Sequence, residues 1–316
     1  MIKRGIDRIC ISVGNIDESL TFFRDYVGMT ICADQTLPSH NIQKFWNLPE
    51  GTSARSVALK KNSQPSILEL IEFQPNSGKS IRDNATIFDY GIYDIAFIVR
   101  DLDKTYEDLI SKGYEFIAQP KKYKPPWFPL EVKEAILIGP DHILIAHLEL
   151  VGTPEKKLPD KYGLLADSAQ VVDNIDAAIK FYKDILGLDL IGNEQLPKGL
   201  VNEVLAIPPE TDLNMAFLNK KDSQNPVLEF LQFTTAGKDM SQTAKPENFG
   251  IFMISFEVTD LSGLIIKLKD EKIRFLSKPM KMEIPYYGKV RTLLIEAPNR
   301  AMVELFESQN DNKPAQ

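Results

Sequence analysis

The chain has 316 residues, of which 43% are hydrophobic and 26% charged, and it carries a formal net charge of −7. That length exceeds the usual single hydrophobic core, so two domains are expected, and the interspersed apolar residues argue against extended disorder. A negative balance without a basic cluster speaks against nucleic acid or an anionic membrane as partner and leaves small molecules. No apolar run reaches membrane-spanning length, and Lys3, Arg4 and Asp7 stand where a signal peptide would be apolar, so a cytoplasmic location is expected. Cys10 and Cys32 lack metal-type spacing and are too few for a disulfide framework, which fits a reducing compartment; both read as core or near-core thiols.

In chain order, the first predicted element is a strand over residues 9–13, built of apolar and β-branched side chains. A helix follows, with Asp17 as the expected N-cap and Leu20, Phe23 and Val27 on one stripe before Gly28 stops it. Three more strands, including ones near 55–59 and 67–73, complete a β-α-β-β-β module. The pattern restarts at 92–99, followed by Asp101, Leu102 and Asp103, so the first half holds two modules. Residues 152–161, with two prolines and several charges, read as a linker. Beyond it the first half repeats. Asn15, Ile16 and Asp17 return as Asn174, Ile175 and Asp176; Phe22 and Phe23 as Phe181 and Tyr182; Gly28 as Gly187; Leu37 and Pro38 as Leu196 and Pro197; Leu68 and Glu69 as Leu228 and Glu229; Gly91 and Ile92 as Gly250 and Ile251; Pro140 as Pro298. The expected division is a domain over 1–151, the linker, a domain over 162–308, and a disordered tail over 309–316.

The order of strand, Asn/Asp-Ile/Leu-Asp, aromatic-rich helix and Gly-Leu/Met resembles the glyoxalase, or vicinal oxygen chelate, superfamily over nearly the whole chain. The resemblance implies an α+β fold of four βαβββ modules in two tandem domains with curved open sheets. Paired modules would enclose a cup, which in metal-dependent members holds a divalent ion. Ligands in that family come from the first and last strands of each module. Carried onto the first half, those positions are Arg8, Glu69, Asp94 and Ala146, a degenerate site in which Arg8 supplies the cation of an ion-pair cluster or holds an anionic ligand. In the second half they are Asp167, Glu229, Met253 and Glu304, and this half is expected to work. Glu304 follows from the run Ala297, Pro298, Asn299, Arg300, Ala301, Met302, Val303, Glu304, which resembles the family's closing motif.

Three carboxylates in one cup need a cation, a basic neighbour or protonation. Their oxygens suit Mg²⁺, Mn²⁺ or Ca²⁺ as the metal formed by Asp167, Glu229 and Glu304, while the Met253 thioether is a poor ligand for such ions and keeps a metal-free cup open. The resemblance then implies an isomerase, epimerase or lyase for a small carbonyl or enolisable compound, with Glu229 and Glu304 moving the proton and Tyr286, Tyr287, Arg291, Met253 and Arg8 contacting substrate. One alternative is a sequestering protein without chemistry, as in the bleomycin-binding members. The other is a divergent extradiol dioxygenase, against which Asp167 and Met253 stand in the two histidine positions and His40, His142 and His147 all lie in the other half. A monomer or homodimer is expected. Whether modules pair within a half or between halves is open at this point.

Overall fold

The structure, a computed structural model, describes residues 1–126, 128–154, 157 and 159–309; the expected tail beyond 309 and part of the linker lie outside them. The first module comprises β1 (Arg8–Ser12), α1 (Ile16–Leu20), β2 (Thr30–Leu37), α2 (Ser39–Trp46), β3 (Ser53–Lys60) and β4 (Ile67–Gln74). The second has β5 (Gly91–Val99), α3 (Leu102–Ser111), β6 (Glu115–Phe116), β7 (Lys121–Tyr123), β8 (Glu131–Ile138) and β9 (Leu144–Val151). The third has β10 (Tyr162–Val171), α4 (Ile175–Lys180), β11 (Asp189–Gln195), β12 (Leu213–Asn219) and β13 (Val227–Phe233). The fourth has β14 (Gly250–Glu257), α5 (Leu261–Asp270), β15 (Arg274–Phe275), β16 (Met280–Ile284), β17 (Gly288–Glu296) and β18 (Met302–Ser308).

Helices α1, α3, α4 and α5 each start where a side chain accepts from the free amides of the first turn, whereas α2 follows Pro38 without a side-chain cap. At α1 the capping residue is Asn15 rather than Asp17: its carbonyl oxygen accepts from the amides of Asp17 and Glu18, and Asn174 caps α4 in the same way. Both helices continue as a π-helical turn, Thr21–Tyr26 and Phe181–Ile185. The wider turn brings Phe22 as well as Phe23 onto the buried face, so the apolar stripe is broader than a regular 3.6-residue period predicts.

The strands form two open sheets of nine. One runs β15-β17-β18-β14-β1-β4-β3-β2, with β16 on β17; the other runs β11-β12-β13-β10-β5-β9-β8-β6, with β7 on β8. The two repeats of the sequence are therefore not the two sheets. The first module pairs with the fourth through antiparallel β1 and β14, and the second with the third through antiparallel β5 and β10. Modules join between halves, which resolves the open alternative. The chain crosses from one sheet to the other after β4 and back after β13, and these crossings are laced: Ile81 N–H donates to Phe249 O at 2.7 Å and Lys238 N–H to Asp89 Oδ1 at 2.6 Å.

Strand alternation then assigns two faces. Ile9, Ile11, Ile254 and Phe256 from one sheet share a continuous core with Ile95, Phe97, Leu228 and Phe230 from the other, and Phe22, Phe23, Phe181 and Tyr182 of the helices complete it. The opposite faces carry Arg8, Cys10, Glu69 and Met253 in one sheet and Asp94, Ala96, Asp167, Ala169 and Glu229 in the other. Those faces are the two cups. Among the described residues no helix is long and apolar enough to cross a membrane.

Candidate active site: an acidic chamber in the second cup

The cup of modules one and four is closed by its own side chains. Arg8 on β1 pairs through its two terminal nitrogens with Glu69 on β4 and Glu304 on β18. Glu304 also accepts from Ser255 Oγ at 2.6 Å and Thr292 Oγ1 at 2.7 Å, and Ser56 donates to Glu69. Arg8, Glu69 and Glu304 are all buried. Above them α2 drives Phe45 and Trp46 into the cup, where Trp46 meets Phe73 edge-on at 5.4 Å and Phe252 at 5.9 Å; Cys10, Met253 and Leu294 fill the rest. Every charge here is compensated and the space is occupied.

This geometry corrects several expectations at once. Glu304 does not join Asp167 and Glu229; it belongs to the other sheet, and both of its oxygens are held by hydroxyls or a guanidinium, which removes it as a free proton acceptor. The ion-pair cluster expected around Arg8 and Glu69 exists, with Glu304 in the place given to Asp94. Arg8 and Met253 are packed core rather than substrate contacts. Tyr287 is buried against Phe306 with its hydroxyl donating to Asp7 O at 2.8 Å, Tyr286 accepts from Lys60 Nζ at 3.0 Å, and Arg291 donates to Ser262 Oγ. All three lie on or beside the β16–β17 hairpin of the closed sheet and share no chamber with Asp167 and Glu229.

The cup of modules two and three is open. It holds a cavity of about 350 Å³ lined by Asp94, Asp167, Glu229, Glu134 and Tyr123 among apolar side chains. Register explains how the acids meet. On antiparallel β5 and β10, Asp94 lies opposite Ala169 and Asp167 opposite Ala96, while on parallel β10 and β13 Ala169 lies opposite Glu229. The carboxylates thus occupy diagonal positions on one face, within mutual reach, with alanines between them. Small residues at Ala96, Ala146 and Ala169 keep the floor low, and the segment corresponding to α2 presents Val201 and Leu205 to the chamber, with Leu205 at the position of Trp46 in the closed cup.

Among the described residues, no basic side chain lines this chamber. Burial, reinforced by Glu134, raises Asp94 to about 7. Burial also pushes Asp167 well above the carboxylate range, with Asp94 and Glu134 adding repulsion, and does the same to Glu229, where Asp167 is the largest charged neighbour. Glu134 is raised by burial too, partly offset by the hydrogen bond it accepts from the Tyr123 hydroxyl. By surface area Asp167, Glu229 and Glu134 are half-buried, because they face the cavity, yet the surrounding apolar wall still desolvates them. Asp94 Oδ1 is buried without a hydrogen-bond partner among the described residues.

Such a chamber holds protons at neutral pH: a carboxylic acid and a carboxylate stand side by side, able to give and to take. A divalent metal, as the resemblance implies, fits less well. In the closed cup Arg8 already sits between Glu69 and Glu304, the expected trio of Asp167, Glu229 and Glu304 is divided between sheets, and among the described residues no group of three or more His, Cys, Asp or Glu is placed to hold a metal ion. The oxygen donors of the acidic chamber suit hard cations; their placement does not, and no step below runs through one. His147 plays no part: it is buried between Ile145 O and the Tyr162 hydroxyl, and burial lowers it to about 4, so it is neutral.

Asp167 and Glu229 were visible in the sequence through the duplication, and Asp94 was visible but assigned to the other site. Glu134 and Tyr123 were missed. The alternation on β8 carries the signal: Val132, Glu134 and Ile136 share a face, and an acid between two apolar residues there is out of pattern.

Comparison with known proteins agrees with the architecture. A family model described as Glyoxalase/Bleomycin resistance protein/Dioxygenase superfamily matches residues 5–126 and 165–305. The chain is 30% identical over 122 residues to mouse mitochondrial methylmalonyl-CoA epimerase, a stretch covering 39% of this chain and 61% of that one, and 30% identical over 120 residues to the human enzyme of the same name. It spans about three fifths of the length of these curated relatives. In fold it is similar to glyoxalase I from Zea mays, with a TM-score of 0.61 at 16% identity over 97% of this chain and 93% of that one. It is also similar to a putative dioxygenase from Bacillus subtilis, with a TM-score of 0.57 at 12% identity, covering 98% and 87%.

Proposed function

We propose, for a chain that belongs to the Glyoxalase/Bleomycin resistance protein/Dioxygenase superfamily, that it is an isomerase or epimerase moving a proton at a carbon next to a carbonyl, with the acidic chamber as its active site. The observation that carries this is a set of four carboxyl groups in an otherwise apolar cavity, all raised in pKa and none balanced by a basic residue of its lining. The named epimerase relatives, which act at low identity over part of the chain, support the same class of reaction.

In this reading one ionised carboxylate, Glu134, whose charged form is supported by the hydrogen bond from the Tyr123 hydroxyl, takes the proton from the acidic carbon. The C–H electron pair moves into the carbonyl, giving an enolate whose oxygen is stabilised by a protonated carboxyl such as Asp94, which burial keeps ready as a donor near neutrality. A carboxylic acid on the facing wall, Glu229 or Asp167 from module three, which burial holds protonated, returns a proton to the same carbon from the other side. The apolar lining excludes water and preserves both protonation states.

The test is solvent-deuterium incorporation, followed by NMR, at the acidic carbon of α-oxo acids and acyl thioesters. Wild type is expected to exchange that hydrogen, and Glu229→Gln to lose roughly 10²–10⁴-fold in rate, the usual worth of a general acid or base. Equal exchange in the variant would remove Glu229 from the reaction; no exchange by wild type across both compound classes would sink the reading.

A further inference from the structure

The acidic chamber has a neighbour. A second cavity of about 510 Å³ shares Tyr93 and Leu205 with it, so the two are adjoining compartments separated by those side chains. Its charge is different. Arg82 lines it, packed over the Tyr93 ring at 5.1 Å from the ring centre, with His142, Ser80, Asn84 and Thr86 around it.

Arg82 is half-buried and has no ion pair among the described residues. Its terminal nitrogens donate to Thr86 O at 2.6 Å and Ile92 O at 3.4 Å. A guanidinium carries five N–H donors, and these two bonds anchor the side chain while leaving the others uncommitted. Three acids lie near it: Asp83, also in the cavity lining, accepts from Ser80 N–H at 3.1 Å, Asp89 accepts from Thr86 N–H at 2.7 Å and Lys238 N–H at 2.6 Å, and Asp94 of the acidic chamber lies within electrostatic reach of the guanidinium. Desolvation works against the guanidinium charge. A half-buried cation fixed in place, with acids in electrostatic reach but none in an ion pair with it among the described residues, leaves N–H donors that a ligand anion can take, and a guanidinium recognises carboxylate or phosphate through paired N–H bonds.

We infer that the Arg82 cavity is the second subsite of the proposed active site, and that the substrate is bipartite: an uncharged, enolisable acyl end enters the acidic chamber while an anionic end, a phosphate or a carboxylate, is held at Arg82. The reacting end is uncharged because the described lining of the acidic chamber holds no basic side chain to pair with a buried anion. The assignment of the reacting end rests on the isomerase reading; the anion subsite does not, and the two are tested apart.

The intact protein is titrated calorimetrically with inorganic phosphate and, separately, with acetate, at ionic strength held constant with chloride. Saturable binding of one of them is expected, and the one that binds identifies the anionic group. Arg82→Gln should weaken that binding at least tenfold, Arg82→Lys should retain part of it, and Glu229→Gln should leave it unchanged. Arg82→Lys keeps the test valid if Arg82→Gln does not fold. Absence of saturable binding of either anion, or equal binding by wild type and Arg82→Gln, overturns the inference. Anion binding that survives while deuterium exchange is absent in wild type sinks the isomerase reading and leaves the subsite standing.

Discussion

The two cups descend from the same modules and have come to opposite solutions for buried charge. In one, Glu69 and Glu304 flank Arg8, hydroxyls take the remaining lone pairs, and Phe45 and Trp46 fill what is left. In the other, Asp167 stands where duplication would put Arg8, the floor is alanine, and Leu205, in place of a tryptophan, leaves a cavity. A change of sign on a first strand, together with the alanine floor and the missing aromatic plug, separates a closed ion-pair cluster from an open acidic chamber. Charge compensated internally contributes to holding the fold together; charge left uncompensated waits for a proton or a ligand.

The largest test of that contrast is Arg8→Met, which would leave two buried carboxylates without a cation. A loss of about 3–5 kcal/mol in urea unfolding is expected, as for other broken buried pairs, with most of it recovered when Glu69→Gln and Glu304→Gln are added. A loss below about 1 kcal/mol would mean that the cluster carries little of the closed cup.

Asp94→Asn should act in the opposite direction. The folded pKa of Asp94 is raised, so between the unfolded value and about 7 the folded state holds more protons than the unfolded chain, and stability falls as pH rises through that window. Wild type is therefore expected to melt at a higher temperature near pH 5 than near pH 8. Asp94→Asn should flatten that dependence and stabilise the protein by about 2 kcal/mol above the window. A wild-type profile that rises from pH 5 to pH 8 would contradict the uncompensated chamber.

The smallest effect on stability is expected from Leu205→Trp, which copies the Trp46 plug of the closed cup. Because it fills existing space, unfolding should shift by no more than about 1.5 kcal/mol, while deuterium exchange should fall at least tenfold. Unaltered exchange would place the chemistry elsewhere.

Much of this was legible in the residues. The duplication, the four modules and the inward positions of Asp167 and Glu229 all follow from local patterns, because strand alternation and helix stripes are written within a few residues. Module pairing is not local. Whether β1 joins β14 or β5 depends on which sheet edges meet after the whole chain has folded, and both choices bury similar apolar strands. That one ambiguity moved Glu304 to the wrong site, separated Asp94 from Asp167 and made the C-terminal half look self-sufficient. Asn15 was overlooked for a simpler reason: Asp17 is also a good capping residue, and only the extended backbone at Asn15 decides between them.

The crossing of modules between halves carries a consequence for how this chain is inherited. Neither repeat owns a complete cup, so each copy of the ancestral sequence contributes one wall to the chamber and one to the cluster. The two walls of a single cup therefore evolve as partners across the duplication, while the two modules within a repeat, though adjacent in the gene, answer to different requirements.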